Sequence, residues 1–283
     1  MRALITGASG FVGRTLAAHL RDVGDDVVCS GRSTDGVDVT DREAVHDLVK
    51  RAAPEIVFHL AAQAHVPTSW ADPIGTLRTN VEGTQNVLDA AHAAGVERTL
   101  VVSSAEVYGA ATPSMLPISE EAPLRPNTPY AASKVAADAL ALQCFLGRGQ
   151  DTIRLRAFNH FGPGQRPDFV CAALALRIAE AERSGATSIA TGPLEPRRDF
   201  TDVRDVVRAY RLAATEGTAG SVYNVCSGVD RSIGEIAEAF LELAVTPLTL
   251  RPSADLTRPV DTPIVRGDHT RLTAETGWEP TFS

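Results

Sequence analysis

The sequence is poor in cysteine. Its 283 residues include only four, which are far apart along the chain: Cys29, Cys144, Cys171 and Cys226. Paired ligands of structural zinc sites are separated by a few residues, and disulfide frameworks belong mainly to short secreted chains. The spacing therefore favours reduced, buried thiols in a cytoplasmic protein and predicts neither a metal site nor a disulfide.

Long apolar runs are also lacking. No stretch reaches the roughly 18 apolar residues that indicate a membrane span. The chain enters a short apolar segment at residues 2–5 without the pattern of a signal peptide. We therefore expect no association with membranes.

Excess positive charge is the third missing feature. The formal net charge is -8 at pH 7, which disfavours binding to nucleic acid or to an anionic membrane surface. Small anionic ligands are not excluded, because a few local cations can bind them. The 44% apolar and 22% charged residues are typical of a soluble globular protein. The length suits one large domain or two small ones.

A glycine-rich turn follows the first apolar segment. Residues 7–13 read Gly-Ala-Ser-Gly-Phe-Val-Gly, and apolar residues then recur at helical spacing to about residue 23. Strand, glycine turn and helix form the first unit of a dinucleotide-binding fold, in which free N–H groups at the helix N-terminus face a pyrophosphate. The candidate cofactor-binding residues here are Gly7, Ser9, Gly10, Phe11, Val12 and Gly13.

The end of the second predicted strand, at residues 26–30, indicates which dinucleotide binds. An Asp or Glu usually meets a free ribose 2′-hydroxyl at this position, but the chain here reads Ser30-Gly31-Arg32. Arg32 could bind a 2′-phosphate, which favours NADP(H) and leaves NAD(H) possible. Asp38 and Val39 end a third short strand in this prediction, beside the adenine.

Two later strands extend the predicted cofactor site. The first, at residues 55–60, is followed by small residues that permit close approach of a ligand, and we assign Leu60, Ala61, Ala62 and Gln63 to it. His59 is more simply explained as a core residue than as a ligand. Asn80 either caps the next helix or braces the site. The other strand, at residues 98–103, ends at Ser103, also on the cofactor side.

The candidate catalytic residues lie near the middle of the chain. Tyr130 and Lys134 are four residues apart, so that a helix places them on one face, and a nearby ammonium should lower the pKa of the phenol toward neutrality. Ser104 follows a parallel strand at its carboxyl end, where α/β sheets bind ligands. Glu106 lies on the same loop, within possible reach of the same substrate.

The helix that begins at Pro129 is apolar on almost every side. Such a helix must be covered on two sides. We expect the sheet to cover one side and a second copy of the chain the other. This predicts a homodimer through a four-helix bundle made from the helices that begin near Val81 and Pro129.

The alternation of strands and helices becomes irregular after Gly164. We therefore predict a cofactor-binding domain at residues 1–163. Residues 164–283 would mainly form a smaller substrate-binding lobe, with returns to the first domain near residues 197–227.

These motifs occur in an order that resembles the extended short-chain dehydrogenase/reductase family of nucleotide-sugar epimerases, dehydratases and reductases. The resemblance implies an α/β Rossmann fold with a doubly wound parallel sheet of about seven strands. It also implies that Ser104, Tyr130 and Lys134 form a catalytic triad in which Lys134 additionally holds the nicotinamide ribose. Phe158 and His160 would lie on the cofactor side.

Three strings, at residues 156–170, 198–205 and 223–228, resemble most closely the GDP-6-deoxy-D-mannose reductases. That likeness implies reduction of the C4 ketone of a GDP-4-keto-6-deoxy-hexose. The alternatives are a nucleotide-sugar 4,6-dehydratase, an epimerase, or a non-catalytic cofactor-sensing protein. Besides Ser104 and Glu106, the substrate-binding residues would be Asn159, Phe169, Val170, Arg198, Arg258 and Asp261, of which Asp261 is equally well explained as a turn residue.

Overall fold

The computed structural model describes residues 1–253, 256 and 262–282. Arg258 and Asp261, both predicted to contact a substrate, lie outside these residues. Within them, no helix is long and apolar enough to cross a membrane.

A parallel sheet forms the centre of the molecule. Its strand order within the described residues is β2-β1-β3-β4-β5-β9. The bounds are β1 Arg2–Thr6, β2 Asp26–Ser30, β3 Ile56–His59, β4 Arg98–Val102, β5 Thr152–Ala157 and β9 Val222–Val225. Because β1 pairs with both β2 and β3, the order reverses beside β1. Open α/β sheets bind their ligands at such a switch point.

Helices cover both faces of this sheet, as the predicted doubly wound fold requires. The helix bounds are α1 Phe11–Asp22, α2 Arg42–Ala52, α3 Val66–Ala71, α4 Pro73–Leu77, α5 Gly83–Ala93, α6 Pro129–Arg148, α7 Val170–Ser184, α8 Val203–Glu216, α9 Ile233–Glu242 and α10 Thr270–Thr276. One apolar core contains residues of α1 and α8, and a second contains residues of α2 and α5. The helix predicted near Val81 begins with a π-helical turn at Arg78–Glu82.

The predicted doubly wound α/β fold is confirmed, but its described sheet has six strands where about seven were predicted. The missing strand is the one predicted to end at Asp38 and Val39, where the chain forms a turn instead. The Asp38 carboxylate accepts hydrogen bonds from the backbone and hydroxyl of Thr40, 3.0 and 2.9 Å away. Such local bonds compete with strand pairing, while Val39 packs into the core as a single residue.

Two smaller sheets lie beside the central one. Strand β8, Arg197–Asp202, pairs with β6 (Asn159–Phe161), β10 (Asp230–Ser232) and β12 (Ile264–Val265). Strands β7, Ser188–Thr191, and β11, Thr249–Pro252, form a parallel pair. The predicted boundary between two domains at residue 163 stays a prediction. Strand β9 and helix α8 follow this boundary in the chain, and both pack with the central sheet.

His59 is a core residue, as the sequence suggested. Its ring nitrogens lie 2.8 Å from the Thr6 hydroxyl and 3.0 Å from the Thr84 hydroxyl. Burial lowers the pKa of His59 to about 3, so the ring is neutral at physiological pH. It therefore links β3 to β1 and α5 by uncharged hydrogen bonds.

Candidate active site

The start of α6 places the predicted catalytic pair. Thr128 caps the helix, with its hydroxyl accepting from the Ala131 backbone N–H at 3.0 Å, and Pro129 occupies the first turn. Both residue types favour a helix that begins here. Tyr130 and Lys134 are therefore one turn apart near the N-terminus of α6, and both are buried, with 8% and 6% of their surfaces exposed.

Ser104 meets Tyr130 from the other side of the site. It follows β4 and is 9% exposed. Its side chain hydrogen-bonds to Tyr130, and its oxygen accepts the backbone N–H of Glu106 at 3.2 Å. The structure therefore brings together two hydroxyl groups that could both contact one substrate oxygen.

The expectation that Tyr130 would have a pKa near neutrality was wrong. Burial raises the pKa of Tyr130 to about 12, although the hydrogen bond from Ser104 acts in the opposite direction. The charge of Glu106 raises this pKa further. Tyr130 is therefore a protonated phenol at neutral pH, ready to give a proton and not to take one.

Lys134 is held at the end of β4, one helical turn from Tyr130. Its ammonium donates to the Val102 carbonyl oxygen at 2.7 Å. Burial lowers the pKa of Lys134 to about 8, so the ammonium is still the main form at neutral pH. A cation in this position could stabilise the phenolate that forms when Tyr130 loses its proton.

Glu106 lies in the short 3-10 helix Ala105–Tyr108 directly after Ser104. Its charge raises the pKa of Tyr130, so the two groups interact electrostatically. The structure thus brings all four predicted catalytic residues to the carboxyl end of β4.

Asn80 braces this region, which was one of its two predicted roles. Its amide exchanges hydrogen bonds with the Gln63 backbone, at 2.7 and 3.0 Å, and donates to the Ser133 hydroxyl at 2.8 Å. Ser133, between Tyr130 and Lys134, was not predicted as a site residue. The sequence signal that could have identified it is its place on α6 between two catalytic candidates.

A buried charge cluster on α6 was also missed. Asp138, one turn beyond Lys134, accepts from Arg154 at 3.2 Å and from Arg156 at 2.9 Å, and all three residues are buried. Arg154 and Arg156 belong to β5, so these bonds fix α6 against the sheet. The sequence signal was the spacing of Asp138, which is four residues after Lys134 and eight after Tyr130. This spacing places the three side chains on one face of α6.

The glycine turn has the shape that a dinucleotide requires. Gly7 has φ +73°, and a Cβ atom there would lie 2.7 Å from the Ala61 nitrogen. A Cβ at Gly13 would lie 2.3 Å from the Gly7 oxygen. Gly10 is the N-cap residue of α1, and no side chain caps this N-terminus. The tight backbone and the exposed N–H groups therefore fit a pyrophosphate.

The other predicted cofactor residues surround this turn. Phe11 and His160 stack with ring centroids 6.2 Å apart. The Phe158 side chain packs in the core and is 3% exposed, so its predicted place beside the cofactor stays a prediction. Ser103 donates weakly to the Lys134 carbonyl at 3.5 Å. The segment at residues 60–63 and Val12 border the turn and are partly buried.

Arg14, which sequence reasoning did not select, joins two parts of the site. It donates to the Ser9 carbonyl at 2.5 Å and to the Gly164 carbonyl at 3.2 Å. A cation in the first turns of a helix opposes the helix dipole, and this unfavourable placement was the signal. The contacts tie the glycine turn to the loop that follows β6.

Arg32, predicted to hold a 2′-phosphate, forms an ion pair with Asp38. Its Nε and Nη2 atoms both donate to one carboxylate oxygen of Asp38, at 2.9 and 2.6 Å. Two residues assigned separately to the cofactor are therefore bound to each other.

Pairing between β6 and β8 assembles the predicted substrate side. Asn159 lies opposite Phe200, two residues from Arg198 on β8. Arg198 donates to the Arg197 carbonyl at 2.8 Å. Phe169 caps α7 and Val170 is its first residue, and the Phe169 side chain is 38% exposed.

Residues 3–226 match the NAD dependent epimerase/dehydratase family. The chain is 39% identical to the GDP-6-deoxy-D-mannose reductase of Pseudomonas aeruginosa over 281 residues, which cover 99% of this chain and 92% of the relative. It is 33% identical to the UDP-glucose 4-epimerase of Mycolicibacterium smegmatis, over 99% of this chain and 94% of that relative.

A solved structure has the same fold. RMD from Pseudomonas aeruginosa, complexed with NADPH, superposes with a TM-score of 0.91 at 37% identity, covering 100% of this chain and 95% of that chain. The likeness extends over both the central sheet and the smaller sheets.

Proposed function

Because this chain belongs to the NAD dependent epimerase/dehydratase family of nucleotide-sugar enzymes, we propose that it is an NADPH-dependent reductase of the C4 ketone of a GDP-4-keto-6-deoxy-hexose. GDP-4-dehydro-6-deoxy-D-mannose would be the substrate, and a GDP-6-deoxyhexose such as GDP-D-rhamnose the product. The observation that carries the proposal is a protonated Tyr130 hydrogen-bonded to Ser104, one helical turn from the buried Lys134. The reductase from Pseudomonas aeruginosa supports the substrate class.

In this reaction NADPH supplies the hydride that adds to C4. Ser104 would hydrogen-bond to the ketone oxygen and stabilise the charge that develops on it. Tyr130 would give its proton to that oxygen, so that the C=O bond becomes a C–OH bond. Lys134 would stabilise the resulting phenolate, and Tyr130 would regain a proton from solvent.

The glycine turn and the open N-terminus of α1 support binding of the dinucleotide. NADPH in the related RMD structure favours NADP(H) over NAD(H) for this chain as well. Arg32→Ala should reduce the difference in binding free energy between NADPH and NADH by about 1–2 kcal/mol, the size of a charge-assisted hydrogen bond. Calorimetric titration showing that the parent protein prefers NADH would contradict this assignment.

GDP is proposed as the carrier nucleotide. Support comes from the Pseudomonas aeruginosa reductase and from the sequence argument that a carboxylate at residue 261 suits the paired donors of guanine. A thermal-shift series with GDP, UDP and dTDP tests the choice, because a tighter ligand raises the melting temperature more. Greater stabilisation by UDP or dTDP than by GDP would refute it.

We also propose a homodimer that forms through the surface of α5 and α6. An apolar depression of about 390 Å³ lies there, lined by Leu77, Arg78, Val81, Glu82, Gln85 and Leu140. Apolar side chains in such a depression are available to pack against a second copy of the chain. Light scattering should give the dimer mass at micromolar concentration; a monomer mass would exclude the proposal.

A 4,6-dehydratase is the second candidate, and the position of Glu106 is the observation that favours it. A dehydratase must remove the C5 proton after oxidation at C4, and a carboxylate beside Tyr130 could act as that base. The direct test is to incubate the purified protein with GDP-4-keto-6-deoxymannose and NADPH and to follow the loss of reduced nicotinamide. A dehydratase would instead convert GDP-mannose without added NADPH.

A further inference from the structure

The loop after β2 borders the proposed dinucleotide site. The Ala8 N–H donates to the Ser30 carbonyl at 3.0 Å. A Cβ atom at Gly31 would lie 3.6 Å from both the Gly7 Cα and the Ser9 hydroxyl oxygen. Side chains of this loop can therefore influence the end of the cofactor that carries or lacks a 2′-phosphate.

The cation of this loop is already engaged by a carboxylate. Arg32 donates through Nε and Nη2 to the same oxygen of Asp38, and the Arg32 side chain is 65% exposed. A guanidinium uses the same N–H groups to bind a carboxylate or a phosphate. A 2′-phosphate would thus have to share Arg32 with Asp38 or displace it.

Asp38 itself is firmly placed. Its second oxygen accepts both the backbone N–H and the hydroxyl of Thr40. Burial acts to raise the pKa of Asp38, but these bonds and the Arg32 charge outweigh burial and lower it. Asp38 is therefore a fixed anion at neutral pH. The Arg32 side chain can change its orientation only if this ion pair breaks.

A second carboxylate adds to the negative charge of the loop. Asp35 accepts hydrogen bonds from the Gly31 N–H at 3.0 Å and the Ser30 hydroxyl at 3.2 Å. These are donors of the kind that could otherwise contact a phosphate. The segment from Ser30 to Asp38 carries one cation and two anions, so it is not the purely basic pocket that its Ser-Gly-Arg sequence suggests.

We infer that Asp38 is a specificity-determining residue that competes with the cofactor's 2′-phosphate for Arg32 and so limits the preference for NADPH over NADH. This inference rests on the proposed NADP(H)-dependent function. The opposite role is that Asp38 orients Arg32 toward the phosphate, in which case its charge would increase the preference.

Calorimetric titration of the full-length protein with NADPH and with NADH distinguishes these roles. Asp38→Asn keeps the size of the side chain and an acceptor for Thr40 but removes the charge that holds Arg32. Because exposed ion pairs are weak, we expect the ratio of NADPH to NADH affinity to rise roughly three- to fivefold. The matched control is Asp41→Asn, which removes a nearby charge from the N-terminus of α2 and should leave the ratio within about a factor of two.

A double-variant comparison shows whether the effect acts through Arg32. In the Arg32→Ala background, Asp38→Asn should no longer raise the ratio. The inference is overturned if Asp38→Asn leaves the ratio unchanged or lowers it, or if the same rise occurs without Arg32. These titrations contain no sugar, so such a failure is distinct from failure of the proposed ketone reduction.

Discussion

The cofactor side and the substrate side of this protein are built in different ways. On the cofactor side, Gly7, Gly10 and Gly13 lie within one strand-turn-helix unit. On the substrate side, Asn159 and Arg198 come to the same part of the molecule only because β6 pairs with β8. A short motif therefore defines the first region, while the second depends on contacts between distant parts of the chain.

The catalytic residues stand between these two regions. Ser104 follows β4, and Tyr130 begins α6 after a long connection. Buried hydrogen bonds from Asn80 to Ser133 and from the β5 arginines to Asp138 hold α6 in place. If this comparison is correct, variants should separate chemistry, substrate binding and cofactor binding.

The largest effect is expected for the proton donor. Tyr130→Phe should reduce the rate of ketone reduction at least about a hundredfold, the usual scale for loss of a general acid. The matched control is Tyr210→Phe, since Tyr210 is also buried but its hydroxyl has no hydrogen-bond partner within the described residues. Steady-state kinetics would contradict this role if the two variants lost similar activity.

Arg198→Ala tests the substrate side alone. Loss of a charge-assisted contact to the sugar diphosphate should raise KM for the GDP-sugar by about ten- to a hundredfold. NADPH affinity should not change. Arg197→Ala is the control, because Arg197 precedes it on β8, where side chains alternate, and pairs with Asp230. If Arg198→Ala weakened NADPH binding as much as it raised KM for the GDP-sugar, the substrate and cofactor regions would not be separate.

The pH profile of reduction tests Lys134. Its pKa of about 8 lies below the usual lysine value because of burial, so the ammonium is present below pH 8 and is lost as the pH rises. The rate should therefore be level below about pH 8 and fall roughly tenfold per unit above it. Tyr130, with a pKa of about 12, stays protonated through this range.

Lys134→Arg provides the control for this profile. Because arginine keeps its charge, the variant should move the fall to higher pH, even if its maximal rate is lower. A parent profile that stays level to pH 10 would show that the charge of Lys134 is not needed.

The smallest effect is expected for Glu106. Glu106→Gln should leave ketone reduction within about tenfold of the parent, a barrier change near 1.4 kcal/mol. Reduction requires only the hydride and the proton from Tyr130. Loss of all reductase activity in this variant would assign Glu106 a direct role in reduction. The dehydratase alternative would be favoured if the parent converted GDP-mannose without added NADPH and Glu106→Gln abolished that conversion.

The sequence allowed prediction of the features that local patterns encode. The glycine turn, the α6 spacing of Tyr130 and Lys134, and the core role of His59 were all read from short segments. The third strand was mispredicted because the side chain of Asp38 forms hydrogen bonds within its own turn. The pKa of Tyr130 was mispredicted because burial, which depends on the whole fold, raises it more than the hydrogen bond from Ser104 lowers it.

Features that join distant segments were beyond such patterns. The ion pair of Arg32 with Asp38 and the bond from Asn80 to Ser133 depend on how loops and helices pack. The residue types show that these groups are polar. They do not show which partners the groups bind in the folded chain.

The most direct test of the central claim uses NADPH that carries deuterium at both C4 positions of the nicotinamide. After reaction with GDP-4-keto-6-deoxymannose, NMR of the sugar product should show deuterium at C4 of the hexose and also give the configuration there. The Tyr130→Phe variant should form little of this product. Recovery of the unchanged ketone, or a sugar without deuterium at C4, would contradict the account.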